Sequence, residues 1–267
     1  MANNNILNFI EFLNNQGYAT TTLDTYKRYL TLCNNTSLIY FNKPIQNITV
    51  QQVANILNYL NTKYSNKTIN TIVAMLASYN NYLISMGLLN YTNITSHLYK
   101  KVVTNVPKAI TQKDMQTLLK MCNNRQQQAA LIGLTITGMR ISELVATPKA
   151  NYNFNNLTVL VPAGKNKRQR TAKIIKNYYF NAFMAYFNQK NDILNDKMLF
   201  FTPKNSLRWL FDNFNTKNSN GRYYTTHSTR ATYATTMMQQ GARLDQVARW
   251  LGHTSINTTM FYLDSYL

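Results

Sequence analysis

Acidic side chains are scarce in this sequence. Only 9 of 267 residues are Asp or Glu, against 28 Lys and Arg, so the formal net charge is +19. Such an excess repels itself in a compact chain and points to a polyanionic partner, nucleic acid before an anionic membrane surface. Histidine and cysteine are equally thin, at three and two. Scattered as they are, they do not compose a structural zinc site. Cys33 and Cys122 lie far apart in helical patterns, which reads as free core thiols and a reducing, intracellular setting. No apolar run is long enough to span a bilayer, and "MANNNILNFIEFLNN" lacks the basic and apolar regions of a secretory leader. There is no phosphate-binding Gly-rich loop, no cluster of carboxylates and no internal repeat.

What is present is helix. In the first hundred residues, "NILNFIEFLNNQG" carries an apolar stripe that ends at Gly17, and "TTTLDTYKRYLTLCN" opens with Thr residues suited to capping. "TVQQVANILNYLNTKY" and "NKTINTIVAMLASYNNYLISMGLL" continue the pattern, and nothing alternates like a strand. Asn recurs in pairs and triplets, interrupted at helical intervals by Leu, Ile and Tyr; a codon bias is the expected cause. Residues 1–100 hold six Lys and Arg and two acids, so most of the positive charge lies beyond them. The periodicity breaks across "YKKVVTNVPKAI", which reads as a short basic linker. The spacing thus predicts a helical domain over 1–98, a linker over 99–110 and a second domain over 111–267. In that second domain "NLTVLVPA" and "RTAKIIK" alternate around "GKNKRQR", an antiparallel hairpin. Helices are expected at about 177–189, 204–215, 227–240, 243–251 and 255–264. The fold class is mainly α, with one small antiparallel β-sheet in the larger domain.

Four short stretches could carry chemistry. In "TGMRISEL" Arg140 and Glu143 stand one helical turn apart, so the carboxylate can orient a guanidinium whose planar fork suits two phosphate oxygens. An ordinary surface ion pair explains the same spacing equally well. "HSTR" puts His227 and Arg230 on one helix face, and taken alone a solvated Arg beside a helix start is the simpler reading. "GKNKRQR" sets four cations in seven residues, which more often means phosphate-backbone contact than catalysis, although one lysine at a hairpin tip could protonate a leaving oxygen. "LGHTSINTTMFYL" holds His253 and, nine residues on, Tyr262. A tyrosine is usually packing, but two Arg and a His nearby would stabilise its oxyanion and the charge on a pentacoordinate phosphorus.

Together these stretches resemble the tyrosine recombinase (phage integrase) family. "TGMRISEL" resembles its first Arg motif, with Arg140 as catalytic Arg and Glu143 as acidic supporter. "GKNKRQR" resembles its strand-turn lysine motif, with Lys165 in the catalytic place and Lys167, Arg168 and Arg170 as DNA-binding cations. Asn166 stands where a further Gly is often found, so Lys167 is the alternative to Lys165. "HSTR" gives His227 and Arg230, "LGHTS" gives His253, and the nucleophile falls on Tyr262. All boxes occur in order over roughly 110–264, and the set is far more specific than any one box. "ATTTLDTYKRYL" resembles the family's core-binding helical domain only loosely.

The resemblance implies two domains clamping double-stranded DNA, and attack by Tyr262 to give a 3′-phosphotyrosyl link and a free 5′-hydroxyl. A Holliday junction and a tetramer formed on the DNA follow. The phosphotyrosine keeps the bond energy, so no ATP, metal, cofactor, small-molecule substrate or membrane is expected to take part. Relaxation of supercoils by a type IB topoisomerase-like reaction is the enzymatic alternative, and a non-catalytic DNA-binding relic the other. Only "LDSYL" follows Tyr262, too short for the multi-turn C-terminal helix that many relatives exchange, so a free monomer that assembles only on DNA is expected. A virus or mobile element fits as source.

Overall fold

The computed structural model describes residues 2–102, 108–163, 169–189, 200, 204–217 and 223–260. The chain divides into two compact units, residues 1–104 and 105–267, each with its own core. The mainly helical class with a small antiparallel sheet is what the sequence leads one to expect.

The first unit is built from α1 (Ala2–Asn15), α2 (Thr20–Phe41), α3 (Val50–Asn61) and α4 (Asn66–Ser85), with short 3-10 turns at Ile45–Asn47 and Ser96–Leu98. Each apolar stripe faces one core, where Phe9, Leu30, Cys33, Leu57, Ile72 and Tyr79 are buried. Thr49 caps α3 through a bond from the Gln52 N–H, and Gln52 returns one to the Thr49 N–H, which supplies two of the acceptors a helix start needs. Three asparagines lie inside this unit rather than on its surface. Asn93 donates to the carbonyls of Ile45 and Ile48, both at 2.8 Å, and accepts from Asn80 at 2.7 Å. Asn34 accepts from the Ile45 N–H at 3.2 Å. Asn34 and Asn93 thus satisfy backbone groups of Ile45 and Ile48 in and after the first short turn, and Asn80 holds Asn93 in place.

Lys100 and Lys101, read from the sequence as the start of a linker, have their backbone tied to α4. Asn70 bonds both the N–H and the carbonyl of Lys100, and Asn66 donates to the Lys101 carbonyl. Residues 103–107 of that expected linker lie outside the described residues.

The second unit opens with α5 (Gln112–Met121), α6 (Arg125–Thr137) and α7 (Ile141–Ala146). A sheet of β1 (Tyr152–Asn153), β2 (Thr158–Val161) and β3 (Arg170–Lys173) follows, then α8 (Phe180–Asn188), α9 (Lys204–Lys217), α10 (Thr226–Gln239), α11 (Leu244–Leu251) and α12 (Asn257–Met260). The strands run antiparallel in the order β1-β2-β3, with Val161 opposite Arg170 and Thr158 opposite Lys173. The two-residue β1, absent from the sequence reading, has too little length to show alternation. The helix expected over 255–264 is described only as far as Met260, within α12.

Helix α6 is buried on every side from Ala129 to Thr137, so it is the axis around which this unit packs. The sheet is tied to it by a bond from the Ile175 N–H to the Ile136 carbonyl at 2.8 Å, and to α10 by Tyr233, whose hydroxyl donates to the Lys173 carbonyl. Cys33 is buried and Cys122 half-buried, and neither forms a disulfide. No helix among the described residues is long and apolar enough to cross a membrane.

Candidate active site

Helix α6 ends at Gly138, whose φ of +64° turns the chain sharply. A side chain at this position would drive its Cβ to 2.6 Å from the Tyr233 ring and 2.8 Å from Leu251, so the left-handed cap must also be bare. Two residues on, Arg140 occupies the N-cap position of α7. Glu143, in the first turn of α7, reaches back to accept from the Arg140 N–H at 2.7 Å and from its guanidinium at 2.8 Å. The i, i+3 pair seen in the sequence is therefore real, and it is not an exposed one: Glu143 is 5% exposed.

A second guanidinium closes on the same carboxylate. Arg170, first residue of β3, donates to both Glu143 oxygens, at 2.9 and 2.8 Å, and its Nε donates to the Trp250 carbonyl at 2.8 Å. The third comes from α10. Arg230, 2% exposed, donates from Nη1 to the Gly138 carbonyl and from Nη2 to the Leu251 carbonyl at 2.7 Å. Its Nη1 also lies 3.9 Å from Glu143. Burial works against the Glu143 charge, but the bonds from Arg170 and from the backbone and side chain of Arg140 outweigh it and hold the carboxyl at about 2.

His253 follows Gly252, the left-handed cap of α11. Its Nε2 is 3.1 Å from Arg230 Nη2, and its Nδ1 is 2.7 Å from the hydroxyl of Thr259 on α12. A guanidinium can only donate, so Nε2 accepts, and the neutral ring carries its proton on Nδ1, given to Thr259. Burial, then the charges of Arg230, Arg140 and Arg170, push the His253 pKa down to about 3. The imidazole is thus neutral near pH 7.

Three guanidiniums around one carboxylate leave two positive charges in excess. Arg140, 36% exposed, is the member that reaches solvent. An arrangement of this kind is suited to hold an oxyanion, and best one that gains a second negative charge during a reaction.

The expected residues divide four ways. Arg140, Glu143, Arg230 and His253 come together, the grouping that the resemblance implied. His227 is exposed at the second position of α10, its N–H bonded to the Thr225 hydroxyl that caps the helix. Lys165, Lys167, Arg168 and Tyr262 lie outside the described residues. Arg170 differs from its sequence reading as a DNA-facing cation, because only 12% of its side chain is exposed and all three of its nitrogens are engaged internally. The signal was in the strand. In "RTAKIIK" Arg170 alternates in phase with Ala172 and Ile174, both buried, and so belongs to the inward face. Thr259, fully buried against His253, carried no such signal, because its bond depends on the turn between α11 and α12.

The family model described as the phage integrase family matches residues 108–267, and that of the phage integrase N-terminal SAM-like domain matches residues 6–87. A tyrosine recombinase of Thermosipho africanus (strain TCF52B) is 25% identical over 262 residues, covering 92% of this chain and 89% of that protein. Among solved structures, the Tn1549 transposon integrase in complex with circular intermediate DNA superposes with a TM-score of 0.74 at 17% identity, over 99% of this chain and 97% of that one. A lambda integrase tetramer bound to a Holliday junction superposes with a TM-score of 0.78 at 14% identity, over 98% and 77%. At such identities the structural likeness speaks for the fold.

Proposed function

This chain belongs to the phage integrase family of tyrosine recombinases, and from that premise we propose that it cuts and rejoins double-stranded DNA at specific sites through a covalent bond to Tyr262. The observation that carries the reading is the convergence of Arg140, Arg230 and His253 around one buried carboxylate. The sequence motifs supply the remaining roles. Residues 1–98 act as a helical DNA-clamping domain, residues 99–110 as the linker, and residues 111–267 as the catalytic domain.

The Tyr262 oxygen attacks the scissile phosphorus, the bond to the 5′-oxygen breaks, and a 3′-phosphotyrosyl ester forms. Lys165 gives the leaving oxygen its proton, so a 5′-hydroxyl departs. Arg140 and Arg230 stabilise the doubly charged phosphorane, and Glu143 keeps Arg140 oriented. As the phosphate enters, its oxygen replaces the imidazole as acceptor for Arg230. The freed Nε2 of His253 takes the proton that the Tyr262 hydroxyl loses on attack and then donates a hydrogen bond to the phosphate. His227, at the start of α10, helps to hold the phosphate. A 5′-hydroxyl of a partner duplex then attacks the phosphotyrosine and restores a phosphodiester. Two such exchanges pass through a Holliday junction, with four protomers assembled on the DNA; Lys167 and Arg168 contact its backbone. The ester conserves the energy of the broken bond, so the cycle needs no nucleotide.

The test is covalent trapping on nicked duplexes, from which the severed strand diffuses away. Wild-type protein is expected to accumulate a protein–DNA adduct, and Tyr262→Phe to bind DNA without forming one. Adducts that persist in the phenylalanine variant would move the nucleophile elsewhere, with Tyr266 the nearest substitute. Plasmid relaxation without strand exchange between two plasmids would make the protein a topoisomerase-like enzyme instead.

A further inference from the structure

We infer that Arg170 is a positioning residue of this site, clamping Glu143 to the backbone at Trp250 so that Arg140 and the His253 segment share one rigid frame. The inference rests on the proposed roles of Arg140 and His253 at the scissile phosphate.

Arg170 joins three parts of the chain that are distant in sequence. From β3 it reaches Glu143 on α7, 27 residues back, with two parallel bonds, and Trp250 on α11, 80 residues on, with its Nε. Its stem is wedged against Gly252, where an added Cβ would lie 2.8 Å from Arg170 Cδ and 3.0 Å from Nε. The residue next in line is His253. The guanidinium therefore fixes both the acid that orients Arg140 and the turn that presents the imidazole. Only a planar fork can do this, because an ammonium has no second pair of parallel donors and no Nε.

The charge has a second effect. Without Arg170, the buried Glu143 carboxylate would draw toward itself Arg230, whose Nη1 is already 3.9 Å away. Arg170 takes up both carboxylate oxygens, so the Arg140 guanidinium shares only one of them, through a single nitrogen, and Arg230 stays 3.9 Å away.

A cation that merely met the DNA backbone behaves differently in two measurements, both made on the full-length protein with a pool of random-sequence nicked duplexes. The first is the adduct rate at saturating duplex. A lysine serves a phosphate as a point charge, so for a backbone contact Arg170→Lys stays near the wild-type rate. For a positioning residue Arg170→Lys loses about 100-fold, the scale of a misplaced reacting group. Added to Glu143→Gln it costs little more, because both act on one frame.

The second is the slope of log affinity against log salt. A backbone contact removed by Arg170→Gln lowers it by about one, whereas a positioning residue leaves it unchanged. Should the unpaired Glu143 prevent that variant from folding, Glu143→Gln/Arg170→Gln removes both buried charges and is read in its place. A lowered slope, or a wild-type adduct rate in Arg170→Lys, overturns the inference. If the wild-type protein forms no Tyr262-dependent adduct at all, the proposed function fails, while the salt slope still decides whether Arg170 faces the DNA.

Discussion

In the free protein the imidazole of His253 has one arrangement of its proton, because Arg230 can only donate to Nε2 and Thr259 stands at Nδ1. Nitrogen-15 NMR should therefore find the Nδ1–H form at pH 7, and Thr259→Val, which removes the acceptor but leaves Arg230 donating to Nε2, should keep that form with its Nδ1–H unbonded. A wild-type spectrum dominated by Nε2–H would refute the assignment. The same site makes stability depend on acid. His253 has a folded pKa of about 3 against an ordinary value near 6.5, so between those values the unfolded chain binds a proton that the folded one refuses. Stability present above pH 6.5 is lost as the pH falls toward 3. Glu143, at about 2 against 4.5, adds a loss that begins lower, as the pH falls from 4.5 toward 2. Denaturant unfolding from pH 7.5 downward should show both windows, with the upper one absent in His253→Gln and the lower one in Glu143→Gln. An identical pH profile for His253→Gln and wild type would mean that His253 titrates freely. At this scale the sequence was readable where chemistry is local. Arg140 with Glu143 is a single-turn spacing, whereas the bonds of Arg170 and Thr259 span chain turns that no short stretch contains.

Elements were legible through their ends as well as their stripes. Ser65, Thr111, Asn124 and Thr225 cap four helices, and Gly138 and Gly252 close α6 and α11 in the left-handed region. What periodicity did not reveal was how tightly some of those ends are crowded. Gly138→Ala meets Tyr233 and Leu251 below 3 Å, whereas Gly241→Ala, at φ +85°, meets nothing within 4 Å. Both substitutions carry the left-handed penalty of roughly 1–2 kcal/mol, but only Gly138→Ala adds overpacking of about 1–3 kcal/mol. Chemical denaturation of the two variants should separate them by that second amount, and equal losses would show that Tyr233 and Leu251 yield freely. Because the Gly138 carbonyl also receives Arg230, Gly138→Ala should slow adduct formation where Gly241→Ala does not. The buried asparagines were illegible for a different reason: surface and interior Asn look alike in a chain this rich in them, and only the loops around Ile45 and Asn93 tell them apart.

The whole molecule has two cores, one per unit, and the larger share of its net charge of +19 lies beyond residue 100. Two cores predict two unfolding events. Calorimetry should give a van 't Hoff enthalpy smaller than the calorimetric one, and equality of the two would mean that the units melt as one. The division into two parts was visible in the break of periodicity near residue 100, and the excess of charge was visible from composition alone.

The buried Arg230 also sets an order of events during synthesis. Its bonds run to Gly138, 92 residues earlier, and to Leu251 and His253, which leave the ribosome later than Arg230 itself. At about 5–20 residues per second, a growing chain passes through a period of a second or more in which α10 exists but two of these three acceptors for its guanidinium do not. A guanidinium that lacks some of its acceptors is costly to enclose, so the core around α10 stays open until α11 has emerged. A nascent polypeptide of this sequence is therefore unable to complete the cluster around Glu143 before His253 has emerged.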